Sequence, residues 1–477
     1  MRMPQITLKL GAWILSCVMP AVALVPDADS SRFCFFPVIQ SDTNGFLGLS
    51  LVNTAGAVNE ATVTWTNGDG NSARTGRLSL SPGAQRAFLV WEVLGIPNDP
   101  SDGWIRIDSS EPGLLSYLTS GTDGILDGTE PVSQPAATIF LDHVAVNTGF
   151  TELDHTDTFV ILVNPGNAAA NARAELISLG GRAAGSLAVS IPAGASRTIR
   201  ISESFREVLP VNNLGGRTFN GYMKVVSDGG LACWLRIETP LSRRLLRGRA
   251  LEEIVPASLA MAGHFASGST NLYRSVLNLI NTGDVPARLE LLAQDDRGRS
   301  IGTIVRLTLG PGQGIRDDVL NLFHIVVPAV FPPPLITGYI RIRAADGSMV
   351  RSIGDIDIDS DGNTASMLYP ITTAASRDWT MPFVINTQDY FTGYAIANPN
   401  ELLTVQTDVT IEILDEEGRL AAPPRNISLS PSARTAGLVE KDIRSGYLRI
   451  RANGPVILLG SIGTCTGSAL AFLPAFR

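Results

Sequence analysis

Charge, histidine and cysteine are scarce in this sequence, and each scarcity argues against a class of function. Only 17% of the 477 residues are charged, the formal net charge is −8, and no basic stripe is present. Nucleic acids and anionic lipid surfaces are bound through clusters of Lys and Arg, so neither is expected as a partner. The four histidines lack metal-ligand spacing, and no Gly-x-Ser-x-Gly, P-loop or HExxH motif occurs. We therefore do not expect an enzyme.

The cysteines are distributed so that no disulfide is predicted within a repeat. Cys17 lies in the apolar N-terminal stretch, and Cys34, Cys233 and Cys465 fall in three different repeats. A bridge between Cys34 and Cys465 would need the chain to fold back on itself. Cys233 stands in an apolar strand, which predicts a small buried hydrophobe rather than a reactive thiol.

The N-terminus is typical of an export signal. Arg2 and Lys9 precede an apolar stretch at residues 10–25, and Ala-Val-Ala at 21–23 predicts cleavage after residue 23. Residues 14–17, Ile-Leu-Ser-Cys, resemble a bacterial lipobox, so a lipid anchor at Cys17 is the alternative. A membrane-spanning helix is disfavoured because the stretch is short and contains Pro20. The expected location is secreted, cell-surface or periplasmic.

One strand pattern is written four times. A glycine, an aromatic, an aliphatic, a cationic and an aliphatic residue follow one another at 103–107, 221–225, 338–342 and 446–450. Alternation with period two predicts a half-buried strand. The aliphatic residues are expected to face a core, while the aromatic and cationic side chains share the opposite face.

Three further landmarks accompany each copy in a fixed order: a strand ending in Asn, a hairpin around a Gly-containing turn, and a strand ending in Pro-Gly, where Ser432 alone replaces the glycine. The asparagines are Asn53, Asn164, Asn281 and Asn398. They are predicted to form Asx-turns, and the Gly-containing turns to connect hairpins. Short helices at 202–209 and 317–323 are predicted to close the sandwiches with Phe205 and Phe323.

This order predicts an all-β protein of four tandem antiparallel β-sandwich, immunoglobulin-like domains. The predicted signal peptide spans residues 1–23, and the repeats span 33–138, 139–257, 258–372 and 378–477. The Asn, Pro-Gly and Gly-Tyr-x-Arg landmarks resemble those of secreted bacterial immunoglobulin-like β-sandwich repeat proteins. That resemblance implies an exported, non-catalytic module array and transfers no functional residue.

A calcium loop is the only candidate cofactor site. Asp357, Asp359 and Asp361 stand at alternate positions before a glycine, as in a calcium-binding loop, but Leu368 replaces the final glutamate of such a loop. With Asp355, the first two place three like charges on one strand face, which a cation would relieve. The alternative is an acidic exposed face without any metal.

The repeated aromatic residues are the other candidate site. Trp104, Tyr222, Tyr339 and Tyr447 would form a ligand surface if their rings stack on sugars. The alternative is that rings and cationic stems pack against each other. His143 and His155 lie in a predicted acidic loop, where a solvated loop is favoured over a metal site.

The sequence favours an exported non-catalytic scaffold or adhesion-type protein, in which an elongated row of modules presents a binding face to an extracellular protein or polysaccharide. The first alternative is an array of carbohydrate-binding modules, which exposed aromatics in at least two repeats would favour. The second is a secreted hydrolase with a carboxylate pair from distant strands, which two close, buried acids would favour. Ligand and oligomeric state are not specified by the sequence.

Overall fold

The computed structural model describes residues 32–38, 45–98, 102–122, 124–148, 155–213, 215–269, 271–360, 365–401, 405–440 and 442–477. The predicted signal segment and Cys17 lie outside these ranges. Within them, nearly all regular structure is antiparallel β-sheet, which confirms the all-β sandwich class. No helix in the described ranges is long and apolar enough to cross a bilayer.

The first repeat sets the plan that the others follow. Its elements are β1 (Phe33–Val38), β2 (Phe46–Asn53), β3 (Asn59–Thr66), β4 (Ala73–Leu80), β5 (Gln85–Leu89), α1 (Val90–Leu94), β6 (Gly103–Ser109), β7 (Leu114–Thr122) and β8 (Ile125–Thr129). One sheet has the strand order β1-β6-β3-β4, and the other has the order β5-β2-β7-β8. Their inward side chains, among them Phe36, Leu51 and Val63, form one core.

The second repeat has the same strand order. Its elements are β9 (Ala136–Asn147), β10 (Asp157–Val163), β11 (Ala170–Ser178), β12 (Ala183–Ile191), β13 (Ser196–Arg200), α2 (Ile201–Ser204), β14 (Thr218–Glu238), β15 (Arg243–Arg247), β16 (Arg249–Ala250) and a 3-10 helix (Leu251–Glu253). The long strand β14 belongs to both sheets, because it pairs with β9 and β11 on one side of the sandwich and with β10 and β15 on the other.

The third and fourth repeats complete the series. The third consists of β17 (Leu259–Ser267), β18 (Arg274–Asn281), β19 (Ala287–Gln294), β20 (Val305–Leu309), β21 (Gly314–Asp318), α3 (Val319–Leu322), β22 (Ile336–Ala344), β23 (Ser352–Asp359) and β24 (Ser366–Pro370). The fourth consists of β25 (Ser376–Met381), β26 (Tyr390–Ala397), β27 (Thr407–Leu414), β28 (Arg425–Leu429), β29 (Arg434–Leu438), β30 (Tyr447–Thr464) and β31 (Leu470–Leu473). Two predicted boundaries, at 139 and 378, fall inside β9 and β25 and are therefore placed too late.

The repeated glycine-aromatic strand occupies the same place in each repeat. The aliphatic residue after the aromatic is Ile105, Met223, Ile340 or Leu448, and each is fully buried in the core of its own repeat. The alternation therefore has the predicted phase, with aliphatic side chains inward and aromatic side chains on the opposite face.

The four asparagines form the predicted Asx-turns and also tie the landmarks together. Asn281 is representative: its Oδ1 accepts the Gly283 N–H at 2.9 Å, and its Nδ2 donates to the carbonyls of Val285, Leu309 and Gly310 at 2.8, 2.9 and 3.2 Å. Asn53, Asn164 and Asn398 make the same set of bonds. One buried side chain thus fixes its own turn and the end of the hairpin beside it.

The predicted helices are present but shorter than expected. Asp318 caps α3 by accepting the Leu320 and Asn321 N–H groups, as its position predicted. Phe205 and Phe323, at the C-terminal ends of α2 and α3, are buried in the cores of their repeats. Their burial agrees with the prediction; that they close one end of the sandwich stays a prediction.

The four repeats close into a ring instead of forming an elongated row. At each joint, a backbone N–H just after the Pro-Gly turn of one repeat donates to a carbonyl in the hairpin turn of the preceding repeat. These bonds join Ser196 to Gly68 (2.8 Å), Gly314 to Leu179 (2.8 Å), Arg434 to Asp296 (3.0 Å) and Gln85 to Glu416 (2.8 Å). The last bond connects the fourth repeat to the first, so the expectation of an elongated row is wrong.

Glycine at two turns makes this approach sterically accessible. Gly418, in the hairpin turn of the fourth repeat, has φ +77° and faces the Pro-Gly turn of the first, where a Cβ would stand 2.4 Å from the Gly83 carbonyl oxygen. Gly83 itself has φ +74°, a conformation that favours glycine. Ser432 holds the corresponding conformation with φ 56°, which explains why its joint tolerates the one exception to Pro-Gly.

Candidate functional site

The four aromatic residues of the repeated strand lie inside the ring joints and do not form an exposed ligand surface. Each donates a side-chain hydrogen bond to the Pro-Gly turn of the next repeat. The donor and acceptor pairs are Trp104 with the Gly194 carbonyl (2.8 Å), Tyr222 with Gly312 (3.0 Å), Tyr447 with Gly83 (2.9 Å) and Tyr339 with Ser432. All four side chains are buried, so the predicted ligand surface is corrected to an inter-repeat latch. The carbohydrate-binding alternative required exposed aromatic rings, and these four rings are buried.

The cations beside these rings support the packing alternative only in part. Lys224 Nζ lies 5.8 Å from the centroid of the Phe140 ring, and the Arg106 guanidinium lies 5.5 Å from that of Phe33. Arg449 instead pairs with Glu412 at 2.6 Å. Arg106, Lys224 and Arg449 therefore stabilise their own sheets by ring contacts or by ion pairs. Arg341 instead crosses the joint and donates to Ser432 Oγ of the fourth repeat at 2.7 Å.

The row of aspartates in β23 is neutralised by arginine. Arg244 Nη1 donates to Asp357 Oδ1 at 2.6 Å and to Asp359 Oδ1 at 2.9 Å. Arg316 Nη2 donates to Asp357 Oδ2 at 3.4 Å. The like charges on one strand face therefore obtain their cation from the second repeat and from β21. Asp361, the third predicted calcium ligand, lies outside the described residues.

The described residues provide no other candidate metal site. Among the residues described, no group of three or more His, Cys, Asp or Glu side chains is placed to hold a metal ion. Because Asp361 is not covered, calcium binding by residues 357–361 stays a prediction, now weakened by the Arg244 ion pairs.

His143 lies in a buried strand and not in a solvated loop. It belongs to β9, and its Nδ1 is 2.9 Å from Asp355 Oδ1. Asn278 Nδ2 donates to Asp355 Oδ2 at 2.9 Å and also to the Asp142 carbonyl. The joint between the second and third repeats therefore contains a group of buried and half-buried polar residues: Asp142, His143, Arg244, Asn278, Arg316, Asp355, Asp357 and Asp359. We call this group the polar joint.

Burial dominates the titration of the polar joint. It raises the pKa of Asp355 to about 8, against the hydrogen bond from Asn278. It also raises the pKa of Asp142 to about 8, and the neighbouring Asp355 adds to that shift. The pKa of His143 falls well below its ordinary value, first because of burial and then because of the positive charge of Arg316. At neutral pH the His143–Asp355 contact is therefore a bond between two uncharged groups.

A cavity of about 250 Å³ lies where all four repeats meet. Ile107, Asp142, Ile353 and Ile457 are among its lining residues, one from each repeat in turn. Asp142 brings a carboxyl group with a raised pKa to the cavity wall. It can donate a hydrogen bond or a proton at neutral pH, whereas an ordinary ionised carboxylate can only accept.

Four other charged residues in the lining of this cavity are paired with one another. Glu130 Oε1 lies 2.9 Å from Arg249 Nη2 and 3.3 Å from Arg247 Nε, and Arg247 also pairs with Glu253 at 2.8 Å. Burial acts to raise the pKa of Glu130, but Arg249 and Arg247 outweigh it and the pKa is lowered. These ion pairs join Glu130 of the first repeat to the second repeat. Asp142 and Arg477 are the remaining charged residues in the lining, and Asp142 is the one with a raised pKa.

The described cysteines behave as predicted. Cys34 and Cys233 are buried and Cys465 is exposed, and none of the three forms a disulfide. Burial raises the pKa of the Cys34 thiol to about 12, and burial likewise raises that of Cys233. Ring closure brings the first and last repeats together, but it does not join Cys34 to Cys465.

Sequence reasoning missed Arg244, Asn278 and Arg316 because their partners are far away in the chain. Arg244 and Asp357 are 113 positions apart, in different repeats. The only signal available was the concentration of arginines at residues 243–249, next to a row of acids in the following repeat. No signal in the sequence indicates that the second and third repeats are in contact, so these arginines could not be paired with the acids.

Comparisons with known proteins assign no family. No family model matches the sequence, and no curated protein matches it. A Streptomyces avermitilis α-L-rhamnosidase aligns with 8% identity over 89% of this chain and 54% of that chain, with a TM-score of 0.13. An anti-sigma factor domain-containing protein aligns with 9% identity over 88% of this chain and 98% of that chain, with a TM-score of 0.13. The chain thus spans about half of the rhamnosidase, and likenesses at these scores assign neither a fold family nor an activity.

Proposed function

We propose that this protein is an exported, non-catalytic scaffold of the adhesion type, in which a closed ring of β-sandwich repeats holds a binding loop for an extracellular protein. The four joints use the same latch, so the ring is a frame in which each loop has a fixed place. A rigid frame lowers the entropy cost of binding because the binding segment is already positioned. Export and surface location are part of this proposal and rest on the signal-like N-terminus.

The observation that carries the proposal is an exposed apolar loop in the third repeat. Residues 324–335, which we call the proline loop, contain no charged side chain. Val326 is 88% exposed and Phe331 is 86% exposed. Large apolar side chains grouped in this way mark interaction sites. The partner that fits is a protein with an apolar groove.

A binding screen with matched variants tests this proposal. The full chain would be presented to purified extracellular matrix proteins and to glycans, together with the double variant Val326→Ser/Phe331→Ser. Val285→Ser is the control, because Val285 is 62% exposed but lies outside the loop. We expect binding to a protein that the double variant weakens at least about tenfold, the loss of two apolar anchors, and that the control retains. Equal binding by all three proteins would contradict the role of the loop.

A secreted hydrolase is the second candidate, and the buried acids Asp142 and Asp355 are the observation that favours it. A carboxyl group with a raised pKa is what a general acid needs. Asp355 is already bonded to His143 and Asn278, however, which favours a structural role. Release of nitrophenol from nitrophenyl glycosides would support the hydrolase if Asp142→Asn abolished it. No turnover above that of the variant would contradict it.

A further inference from the structure

The joint between the third and fourth repeats starts from the same geometry as the polar joint. In the second repeat, Leu141 pairs with Met223 and Val144 with Gly221, so the strand bulges at residues 142 and 143. In the third repeat, Ala262 pairs with Ile340 and Phe265 with Gly338, and the bulge falls at residues 263 and 264. His264 is therefore the structural counterpart of His143.

The wall facing this histidine differs between the two joints. Opposite His143 stand the cross-strand pairs Asn278 with Asp355 and Val276 with Asp357. The equivalent pairs of the fourth repeat are Ala395 with Leu459 and Gly393 with Ser461. Carboxylates and an amide are thus replaced by small and apolar side chains, and the carboxylate partner of the histidine is missing.

The space left by this replacement is a cavity of about 260 Å³ between the third and fourth repeats. His264, Gly393, Ala395, Leu459 and Ser461 are among its lining residues. Leu335 and Leu438, both about half exposed, also line it and mark its opening to solvent. A cavity of about 150 Å³ accepts benzene, so this one has room for roughly ten non-hydrogen atoms.

The hydrogen bonds of His264 fix which of its nitrogens can meet a ligand. Arg434 Nη1 lies 2.6 Å from His264 Nδ1 and also donates to the Gly338 carbonyl. A guanidinium cannot accept a hydrogen bond, so Nδ1 must be the unprotonated nitrogen. Burial, with the Arg434 charge second, lowers the pKa of His264 to about 3, so the ring is neutral and its proton is on Nε2. Among the described residues, no hydrogen-bond acceptor is found for that Nε2–H.

We infer that the cavity between the third and fourth repeats is a binding site for a small, uncharged, mainly apolar molecule with one hydrogen-bond acceptor, which the Nε2–H of His264 recognises. The apolar walls supply the affinity, and the Nε2–H of His264, beside the hydroxyl groups of Tyr273, Thr337, Tyr394 and Ser461 in the lining, supplies orientation. Charged ligands are excluded because the lining provides no ion partner within the cavity. Arg434 is already paired with Asp296 at 2.6 Å.

The test uses two probes of the same shape. Acetophenone carries a carbonyl acceptor, and α-methylstyrene has the same heavy-atom skeleton with a methylene group in place of the oxygen. We expect saturable one-to-one binding of acetophenone to the full chain in ligand-observed NMR titrations. α-Methylstyrene should bind about five- to tenfold more weakly, the value of one neutral hydrogen bond. Equal affinities for the two probes, or no binding of acetophenone, would overturn the inference.

Three variants distinguish the contribution of the apolar walls to binding from that of the His264 donor. Ala395→Ile introduces the side chain that the second repeat has at the equivalent position, Ile161, and should abolish binding of both probes. Ala57→Ile makes the same change on an exposed turn and should leave binding unchanged. His264→Asn keeps an acceptor for Arg434 near the Nδ1 position and removes the Nε2 donor. It should keep α-methylstyrene binding and abolish the preference for acetophenone; a preference retained in this variant would assign recognition elsewhere.

A direct measurement does not depend on how the variants fold. Crystals of the unmodified protein soaked in 4′-bromoacetophenone should show anomalous bromine density between Ala395 and His264. Density found only at other positions, or none at saturating probe, would contradict the site even if every variant were folded.

Discussion

The joint between the second and third repeats and the joint between the third and fourth differ most clearly in the wall that faces a buried histidine. Arg341 also crosses the second of these joints to Ser432 Oγ at 2.7 Å, whereas Lys224 lies over Phe140 of its own repeat. Both use the same latch: Tyr222 or Tyr339 donates to the next Pro-Gly turn. One wall is filled with carboxylates that arginines neutralise, and the other is small and apolar and leaves a cavity. The same tyrosine hydrogen bond therefore joins the repeats at both joints, while the residues of the facing wall differ between the two.

The largest expected effect comes from breaking the charge balance of the polar joint. Arg244→Met removes the cation that Asp357 and Asp359 share and leaves Asp357 buried with one weaker partner, Arg316. Removal of one member of a buried ion pair costs about 3–5 kcal/mol, and we expect a loss of that size in the free energy of urea unfolding at pH 7.

Arg274→Met is the matched control for that variant. Arg274 pairs with Asp318 at 2.8 Å in the same sheet, but its side chain is 67% exposed. An exposed pair contributes at most about 1 kcal/mol. If the two variants lost equal stability, burial would not be the feature that distinguishes the polar joint.

The second effect concerns pH, and it should separate the two joints above pH 6.5. A carboxyl group with a raised pKa stabilises the folded chain fully at low pH and loses that contribution as pH rises. For Asp142 and Asp355 the loss extends from their ordinary value of 3.8 to about 8. His143 and His264 have lowered pKa values, so each adds stability as pH rises to the ordinary 6.5 and nothing beyond it. Between pH 6.5 and 8 these two acids act, together with Asp127 of the first repeat, whose pKa burial raises to about 7.

Unfolding free energy should therefore fall between pH 6.5 and 8 by about 1 kcal/mol per pH unit for each acid. Urea unfolding at a series of pH values measures this slope. Asp142→Asn should make it shallower, whereas His264→Asn should leave it unchanged. A slope of opposite sign in this range would show that Asp142 and Asp355 are ionised in the folded chain.

The sequence predicted most features that depend on near neighbours in the chain, although it placed His143 in a loop where the structure has the buried strand β9. The alternation around Ile340 predicted the strand and its inward face, and Asn281 with its following residues predicted the turn. Phe205 and Phe323 were predicted to close the sandwiches because a short helix places them there. Each of these rests on periodicity or on turn chemistry within a few residues.

Contacts between repeats could not be predicted from the same signals. The aromatic face was correctly separated from the core, but what covers Tyr447 depends on whether the fourth repeat meets the first. Alternation gives the direction of a side chain and not its partner. The surroundings of the aspartate row also depend on the ring, because Arg244 comes close to these aspartates only when the second and third repeats are in contact. A calcium motif and a buried ion-pair network have the same local sequence.

A third, smaller effect comes from filling the cavity between the third and fourth repeats. Ala395→Ile places additional carbon atoms in the cavity between the third and fourth repeats, where each buried CH₂ is worth about 0.8 kcal/mol before strain and side-chain entropy are subtracted. We expect a net stabilisation of about 1 kcal/mol, typical of cavity filling, in the free energy of urea unfolding. Ala57→Ile should change it by less than about 0.5 kcal/mol. A loss of stability in Ala395→Ile would mean that the cavity walls cannot accept a side chain of this shape.

The smallest effect tests the feature that the two joints share. Tyr222→Phe and Tyr339→Phe each remove one hydroxyl and leave the ring in place, so each should cost about 1 kcal/mol, the value of one neutral hydrogen bond. The two losses, measured by urea unfolding, should agree within about 0.5 kcal/mol, because the latch bonds the same Pro-Gly turn carbonyl beside either wall. Tyr447→Phe extends the comparison to the closure of the fourth repeat onto the first, where the hydroxyl donates to Gly83 at 2.9 Å. An equal cost there would mean that ring closure is as strong as the joints between consecutive repeats. A cost near zero for Tyr447→Phe alone would mean that the ring opens at this joint in solution and that its three sequential joints carry the fold.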